Sequence, residues 1–129
     1  MRYEILVRTL KEARMGRLTT HVLDTSKGGP AAGVVIRLFL LGEVRHQVAL
    51  ARTNADGRTE QPLLNGDGTG AGTYELEFDI GDYFHEQKAA VDDPAFLDTV
   101  VIRFSIRSDE NYHVPLLCSP WSYSTYRGS

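Results

Sequence analysis

The sequence predicts an all-β protein, a sandwich of about eight short strands with one short helix. Three observations favour this class. From residue 17 onward apolar residues recur with a period of two, turn-forming segments separate these runs, and a single segment has helical spacing instead. Of the 129 residues, 42% are hydrophobic and 24% are charged, so the chain has the size and composition of one ordinary globular domain.

Two segments show the strand alternation most clearly, because neighbouring side chains of a strand point to opposite faces. In TYELEFDI the inward set is Tyr74, Leu76, Phe78 and Ile80. In VVIRFSIR it is Val100, Ile102, Phe104 and Ile106. A third run, GVVIRLFLLGEV, is more apolar and is therefore expected to be covered on both faces.

Residues that favour turns separate the predicted strands. They occur in SKGGPAAG, in NADG at 54–57, in NGDGTGAG at 65–72 and in SDEN at 108–111. The glycine-rich segment lacks the spacing of a phosphate-binding loop, so we interpret it as a hairpin loop. The predicted helix lies in IGDYFHEQKAAV, where Tyr83, Gln87 and Ala90 have helical spacing. We expect Asp82 to cap its N-terminus and Pro94 to end it.

Charge and hydropathy narrow the range of partners. The net charge is −3 and the isoelectric point is about 5.8, so the chain lacks the basic excess that a nucleic-acid partner requires. No apolar run approaches the roughly 18 residues of a membrane span, so we expect no membrane association. The single cysteine, Cys118 in VPLLC, is expected to be buried and unreactive. A lone cysteine favours a reducing compartment, and the predicted location is the cytoplasm.

Residues 1–15 precede the strand pattern and are interpreted as an N-terminal extension, which leaves residues 16–129 as the domain. A short helix over residues 3–14 is one interpretation of the extension. Its apolar stretch is short and is broken by Arg8 and Lys11, unlike a secretory signal. The segment is an extension, a fusion remnant or a cloning artefact.

Two histidines stand inside strand-like runs, His21 in LTTHVLD and His113 in NYHVPLL. A valine follows each of them, and side chains along a strand alternate between faces. If Val22 and Val114 point into the sandwich, both imidazoles point outward from the same sheet. The sequence therefore predicts that the two histidines share one outer surface.

The final run, WSYSTY, places Ser122, Ser124 and Tyr126 on one face of the last strand. This run carries few charges that would prevent another strand from pairing with it. We therefore expect the chain to form homo-oligomers through its sheet edges.

Arg58 follows the NADG turn, which would hold a permanent positive charge at a defined point. Zinc binding by His21 and His113 would need a third ligand, and neither a cysteine nor a carboxylate shares their predicted face, so we expect no metal. His46 and His85 are interpreted as surface residues, since the segment around His85 lacks the second histidine of a zinc-protease motif.

Four segments resemble one known family: LTTHVLDTSKGGPAAGV, TNADGR, YHVPLLCSPWSYST and the terminal YRGS. They are similar to the transthyretin-related 5-hydroxyisourate hydrolases of purine catabolism, over about residues 16–129. The resemblance implies a prealbumin-type sandwich. It also implies hydrolysis of 5-hydroxyisourate to 2-oxo-4-hydroxy-4-carboxy-5-ureidoimidazoline without a cofactor. In a eukaryotic member the peroxisome would be the alternative to the cytoplasm.

The resemblance also implies roles for individual residues. His21, Arg58 and His113 fall on catalytic and substrate-contacting positions of the family. The terminal tetrapeptide is expected to shape the substrate pocket, with Ser124 beside it; its residues are Tyr126, Arg127, Gly128 and Ser129. The family forms a homotetramer, a dimer of dimers, with its sites between facing subunits in a central channel.

Hydrolysis of a cyclic acyl–nitrogen bond needs an activated water, a stabilised oxyanion and a proton for the leaving nitrogen. An imidazole suits the base because its ordinary pKa is about 6.5. Our hypothesis assigns His21 as the base, His113 as its partner and Arg58 as the substrate anchor, with the two imidazole roles exchangeable. A serine nucleophile is not favoured, since no G-x-S-x-G segment is present.

Two other functions stay open. A transthyretin-like carrier would bind a small aromatic ligand in the channel without chemistry, and would not need the group His21, Arg58 and His113. An adhesion-type sandwich would be a monomer or would bind mixed partners, and replacing His113 would leave its function intact.

Overall fold

The computed structural model describes residues 16–66, 70–89, 91–107 and 110–128. Within these ranges it contains one helix, α1 (Ile80–Glu86), and eleven short strands. The strands in chain order are β1 (Arg17–Thr19), β2 (Val22–Asp24), β3 (Gly29–Pro30), β4 (Val35–Leu41), β5 (Arg45–Arg52), β6 (Leu64–Asn65), β7 (Gly72–Asp79), β8 (Thr99–Ile106), β9 (Tyr112–His113), β10 (Leu116–Cys118) and β11 (Tyr123–Thr125). No helix in the described ranges has the length and apolarity needed to cross a bilayer. The helix interpreted at residues 3–14 lies outside the described residues.

The strand count exceeds the prediction because two long strands are each interrupted. β1 and β2 form one line of chain, and β9 and β10 form another; the two lines run parallel and keep one register on both sides of the interruption. Pro115 has no N–H group to donate at this point. The Thr20 hydroxyl donates to the Val114 carbonyl at 2.7 Å and so satisfies a group that the ladder leaves unpaired. The interruption therefore keeps its hydrogen bonds although the regular ladder stops.

Four antiparallel strands form one side of the sandwich, in the order β5-β4-β7-β8. The predicted alternation is confirmed, since the inward residues of β7 and β8 are buried or pack against the core. The expectation that β4 is covered on both faces is wrong in one respect. Ile36 and Leu38 are fully buried, whereas Arg37 and Phe39 on the other face are half-buried. That face is covered by charged side chains, with the Arg45 guanidinium 3.5 Å above the Phe39 ring.

The other side of the sandwich contains the interrupted strands. Before the interruption, β1 lies between β6 and β9. After it, the strand order is β11-β10-β2-β3. The final run therefore forms an edge strand, as predicted, although β11 has three residues and pairs antiparallel with β10. His21 lies between β1 and β2, and His113 lies in β9, which continues into β10.

Among the residues that the structure describes, a cluster of buried apolar side chains lies between the two sides. Leu18, Val22 and Leu116 from the interrupted strands belong to it and are at most 1% exposed. Burial of each such side chain contributes about 1.5–3 kcal/mol to stability. Cys118 is 1% exposed, and burial raises the pKa of its thiol to about 12, so it is an inert core residue as predicted.

Helix α1 begins at Ile80, so the predicted N-cap is wrong: Asp79 occupies that position, and Asp82 lies in the first turn. β7 continues directly into the helix without a turn, which moves the start three residues earlier than capping preference suggests. The Asp79 carboxylate makes no capping hydrogen bond and accepts one from Arg37 at 2.9 Å instead. Asp82 still favours the helix, because a negative charge in the first turn suits the helix dipole. Ala90, expected on the helix, lies outside the described residues.

The helix ends at Glu86, well before Pro94, so the predicted stop is also wrong. Lys88 takes a φ of 56°, and this left-handed conformation turns the chain away from the helix axis. The inward face packs on the sandwich, and the Tyr83 hydroxyl donates to Asp24 of β2 at 2.7 Å. Burial and this hydrogen bond raise the pKa of Tyr83 above its ordinary range, so it stays a neutral donor. The contact ties α1 to the strand that follows His21.

Candidate active site

The two histidines occupy the outer face of the interrupted strands, as the alternation predicted. Val22 and Val114 are 0% and 5% exposed and point into the core. His21 and His113, each one residue earlier, are half-buried on the opposite face. Thr19 lies directly opposite His113 in the register of β1 and β9, so His21, two residues after Thr19, is a diagonal neighbour of His113.

The NADG turn brings Arg58 beside His21. The two residues form an isolated antiparallel bridge, and the Val22 amide donates to the Gly57 carbonyl at 2.8 Å. Gly57 has a φ of +75°, and a Cβ there would lie 2.4 Å from the Val22 carbonyl oxygen, so glycine is required for this close approach. The Asn54 side chain accepts hydrogen bonds from turn amides, including that of Arg58 at 3.2 Å.

The contacts of the His21 ring determine its tautomer. Nε2 lies 2.8 Å from the backbone carbonyl oxygen of Asp56. A carbonyl oxygen can only accept, so Nε2 must carry a proton and donate it. Neutral His21 therefore has its lone pair on Nδ1, and the imidazole is oriented by the turn that carries Arg58.

The His113 ring has a different environment. Its Nδ1 lies 2.9 Å from the Thr19 hydroxyl oxygen. Burial lowers the pKa of His113, the positive charges of Arg58 and His21 lower it further, and a hydrogen bond to the Thr19 backbone opposes them. His113 is therefore the neutral imidazole at pH 7, and the three predicted catalytic residues lie close enough to act on one another's charge.

The chain end closes over His113. Gly128 forms an isolated antiparallel bridge with His113 and donates its amide to the His113 carbonyl at 2.7 Å. A Cβ on Gly128 would lie 2.7 Å from Cδ2 of the imidazole, so a side chain at this position would displace the ring. The sequence implied Gly128 as a pocket residue only through family resemblance, and the structure places its backbone against the His113 ring.

The other predicted site residues lie around this contact. Ser124 is exposed and pairs with Leu117, on the outward face. Tyr126 is 60% exposed, two residues before Gly128. The Arg127 guanidinium lies 4.1 Å from the centre of the Tyr112 ring. Ser129 lies outside the described residues.

Two open depressions flank the histidines and share Thr19. The first, of about 250 Å³, is lined by Arg17, Thr19, Asn111, Tyr112 and His113. The second, of about 230 Å³, is lined by Thr19, Thr20, Arg58, Thr59, Glu60 and Pro62. Sequence reasoning did not select Thr19 as a site residue. The available signal was its place on the His21 face, but its contact with His113 depends on the register between distant strands.

The remaining histidines lie elsewhere. His46 and His85 are exposed on β5 and α1, as expected of surface residues. Across residues 16–66, 70–89, 91–107 and 110–128, no three histidine, cysteine or carboxylate side chains are grouped as a metal site would require. The candidate site is therefore a group of two imidazoles and one guanidinium beside a backbone glycine.

The sandwich, with this group on its outer face, belongs to the transthyretin-like class of proteins. Residues 18–128 match the HIUase/Transthyretin family, and the chain belongs to that family.

Similar proteins extend over nearly the whole chain. The 5-hydroxyisourate hydrolase of Ralstonia nicotianae is 54% identical over 117 residues, which are 89% of this chain and all of that protein. The structure of Klebsiella pneumoniae 5-hydroxyisourate hydrolase superposes with a TM-score of 0.74 at 33% identity and covers 88% of this chain and 100% of that one. A crystal structure of (S)-allantoin synthase superposes with a TM-score of 0.83 at 46% identity, over 89% of this chain and 44% of that chain.

Proposed function

We propose that this protein is a 5-hydroxyisourate hydrolase, which converts 5-hydroxyisourate to 2-oxo-4-hydroxy-4-carboxy-5-ureidoimidazoline in urate degradation. The names of its relatives support this activity. The observation that carries the proposal is the convergence of His21, Arg58 and His113 on one outer face, each fixed by backbone bridges or side-chain contacts. A carrier would not need two oriented imidazoles beside a guanidinium.

The reaction adds one water across a cyclic acyl–nitrogen bond. The water oxygen bonds to the carbonyl carbon, the ring C–N bond breaks, and the leaving nitrogen takes a proton. These steps need a base, a positive group for the oxyanion and a proton donor, all of which the residues of the site supply. The reaction has no redox step, and we propose that it proceeds without a cofactor.

His113 is the base in this mechanism. Its Nδ1 faces Thr19, which leaves Nε2 as the ring nitrogen that can take a proton from water. Its lowered pKa keeps it neutral at pH 7, and a neutral imidazole is the form that accepts a proton. The sequence left the two imidazole roles exchangeable, and these contacts favour His113 over His21.

His21 and Arg58 act on the substrate rather than on the attacking water. The guanidinium of Arg58 pairs with the anionic, oxygen-rich substrate and stabilises negative charge on the attacked carbonyl. His21 keeps Nε2 on the Asp56 carbonyl and presents Nδ1 to the site, where it orients the substrate or relays a proton. The permanent positive charge of Arg58 also favours an anion over a neutral ligand.

The chain end forms the wall of the pocket. Gly128 packs against the His113 ring, and we propose Tyr126, Ser124 and Ser129 as substrate contacts. The depressions beside the histidines are open to solvent in one copy of the chain. A homotetramer arranged as a dimer of dimers would close them, with sites shared between subunits. The exposed aromatic residues of the edge run, Trp121 and Tyr123 among them, support such a contact.

The proposed compartment is the cytoplasm. The one thiol, Cys118, is free and buried, as expected where disulfides are not used. The oligomer is tested by light scattering after size exclusion. A mass four times that of the chain supports the tetramer, and a monomer that still turns over substrate contradicts shared sites.

The decisive experiment follows the ultraviolet absorbance of freshly generated 5-hydroxyisourate. We expect the enzyme to accelerate its decay, and His113→Gln to lower kcat/KM by about 10²–10⁴-fold, the usual contribution of a general base. His85→Gln, on the exposed face of α1, is the matched control and should keep full activity. Decay no faster than in buffer would reject the hydrolase and favour the carrier, which saturable binding of the intact ligand would then identify.

A further inference from the structure

The last two described residues, Arg127 and Gly128, contact the two residues of β9. Tyr126 is exposed, and the backbone of Gly128 packs against the His113 ring. Arg127, between them, directs its guanidinium to the ring of Tyr112, which is 6% exposed and belongs to the core. Tyr112 and Asn111 line the depression beside His113, so Arg127 is held at the edge of that depression while Gly128 covers the ring.

The surface that receives Arg127 is itself held firmly. The Tyr112 hydroxyl donates to Glu110 at 3.0 Å and accepts a hydrogen bond from the Arg107 amide at 2.8 Å, so two hydrogen bonds fix the hydroxyl end of the side chain. The Arg127 guanidinium stacks on this ring, donates to the Asn111 carbonyl at 3.3 Å and lies 3.7 Å from the Glu110 carboxylate. A planar guanidinium can make these contacts together, whereas a lysine ammonium can not stack in the same way.

Tyr112 and His113 are consecutive in β9, so the anchor and the catalytic ring belong to the same two-residue strand. Displacement of Arg127 would release Gly128, whose amide bonds to the His113 carbonyl. The ring of His113 would then lose the backbone that packs against Cδ2.

We propose that Arg127 is a positioning residue, which pins the chain end on Tyr112 and thereby holds Gly128 against His113 without touching the substrate. Arg127 therefore acts on the reaction through backbone placement. The inference rests on the proposed hydrolase, in which His113 is the base, but its main test does not use the substrate.

Titration of the His113 imidazole by NMR is that test. The groups whose charge lowers the pKa of His113 are Arg58, on the turn, and His21, between β1 and β2. Arg17 lines the same depression. Burial is the first cause of the lowered pKa, so loss of the covering backbone should raise it. We expect Arg127→Met to move the pKa of His113 up toward its ordinary value of about 6.5.

The kinetic consequence is a fall in kcat by about tenfold to a hundredfold, since misplacement of a catalytic group by about 1 Å can cost that much. Arg127→Lys keeps the charge but loses the planar stack, and should produce an intermediate pKa and kcat. A shift caused by charge alone would be absent in Arg127→Lys and would shrink with added salt, whereas a shift caused by exposure would persist.

Arg52→Met is the matched control, because Arg52 is also an exposed arginine 3.7 Å from a glutamate, Glu86, but lies away from the histidines. It should leave both the His113 titration and kcat unchanged. An unchanged His113 pKa together with a raised KM in Arg127→Met would show that Arg127 contacts the substrate, and would overturn the proposal. If the wild-type enzyme fails to hydrolyse 5-hydroxyisourate, the proposed function fails, while the titration still decides whether Arg127 positions Gly128.

Discussion

The charged groups on the two outer faces of the sandwich are arranged differently. On the four-stranded side, positive and negative groups pair: Arg37 with Glu77 at 2.9 Å, and Arg103 with Glu75 at 3.0 Å. On the interrupted side, two imidazoles and a guanidinium lie together. Positive charges on Arg58 and His21 disfavour a positive charge on His113. The sequence patterns of the two faces are alike, since both alternate apolar and polar residues.

The difference shows how a polar surface that stabilises the fold is distinguished from one that acts on a ligand. Opposite charges in a network satisfy each other and need nothing from solution. Groups that can all become positive are unfavourable together, and an anionic ligand relieves that repulsion. Alternation identifies both faces as outward, but only the sign of the neighbouring charges separates their roles.

The largest expected effects come from two separate variants, each of which replaces one arginine on one of the two faces. Arg58→Gln should lower kcat/KM by about 10²–10³-fold, as loss of an oxyanion donor does, with little change in thermal stability. Arg37→Gln should leave activity within about twofold and lower the unfolding free energy by about 1 kcal/mol, because partly buried carboxylates lose a charged donor. The ultraviolet assay and thermal melts measure the two effects, and equal loss of activity in both variants would erase the distinction between the faces.

A methyl group at Gly128 tests the backbone contact of the site face. Gly128→Ala should lower kcat by about tenfold or more, because the added Cβ would lie 2.7 Å from the His113 ring and must displace it. Gly29→Ala is the control, since the nearest atom to a Cβ there is 3.9 Å away on a lysine side chain. Steady-state kinetics compare the variants; wild-type kcat in Gly128→Ala would contradict the close packing of the chain end.

The two faces should also respond to pH in different ranges. The pKa of His113 lies below its ordinary value of about 6.5, so kcat/KM should fall as pH drops through that lowered pKa and His113 takes a proton. Burial raises the pKa of Glu75, but hydrogen bonds from Arg103 and Arg45 outweigh it and the net direction is down. Its stabilising contribution is thus complete above the unfolded value of about 4.3 and is lost as pH falls through the lower folded pKa.

Activity should therefore decline on acidification as His113 takes a proton, whereas the contribution of Glu75 is lost only below about pH 4.3. The lowered pKa of His113 also makes the unfolding free energy decline below about pH 6.5, because the unfolded state binds that proton more readily. A pH series of kcat/KM beside urea melts measures both curves, and Glu75→Gln should flatten the acidic part of the stability curve only. Coincident activity and stability curves would mean that acid inactivation is unfolding rather than protonation of His113.

The smallest expected effect is at Thr19, which orients His113 by one hydrogen bond. Thr19→Val removes the hydroxyl at similar volume and should lower kcat by about three- to tenfold, the equivalent of one net hydrogen bond. Thr19→Ser keeps the hydroxyl and should restore most of the rate. Equal kinetics in the two variants would show that the hydroxyl does not orient the ring.

Several features of the site were predictable because they depend on local pattern. The outward direction of His21 and His113 follows from the valines beside them, which the core buries. The turn that carries Arg58 follows from its asparagine and glycine. The start of α1 was not predictable from capping preference, because β7 continues into the helix and Asp79 bonds to Arg37 on a neighbouring strand.

The sequence by itself determined the class of fold, the outer position of the two histidines, the turn before Arg58 and, by resemblance, the chain end as part of the site. These are encoded in the spacing of neighbouring residues, where strand period and turn chemistry act over a few positions. Only the tertiary structure decided that Thr19 meets His113, 94 residues away, that Gly128 packs on the same ring and that Arg127 stacks on Tyr112. The physical reason is register: which side chains touch across paired strands depends on how the whole sandwich aligns them, and local spacing holds no record of that alignment.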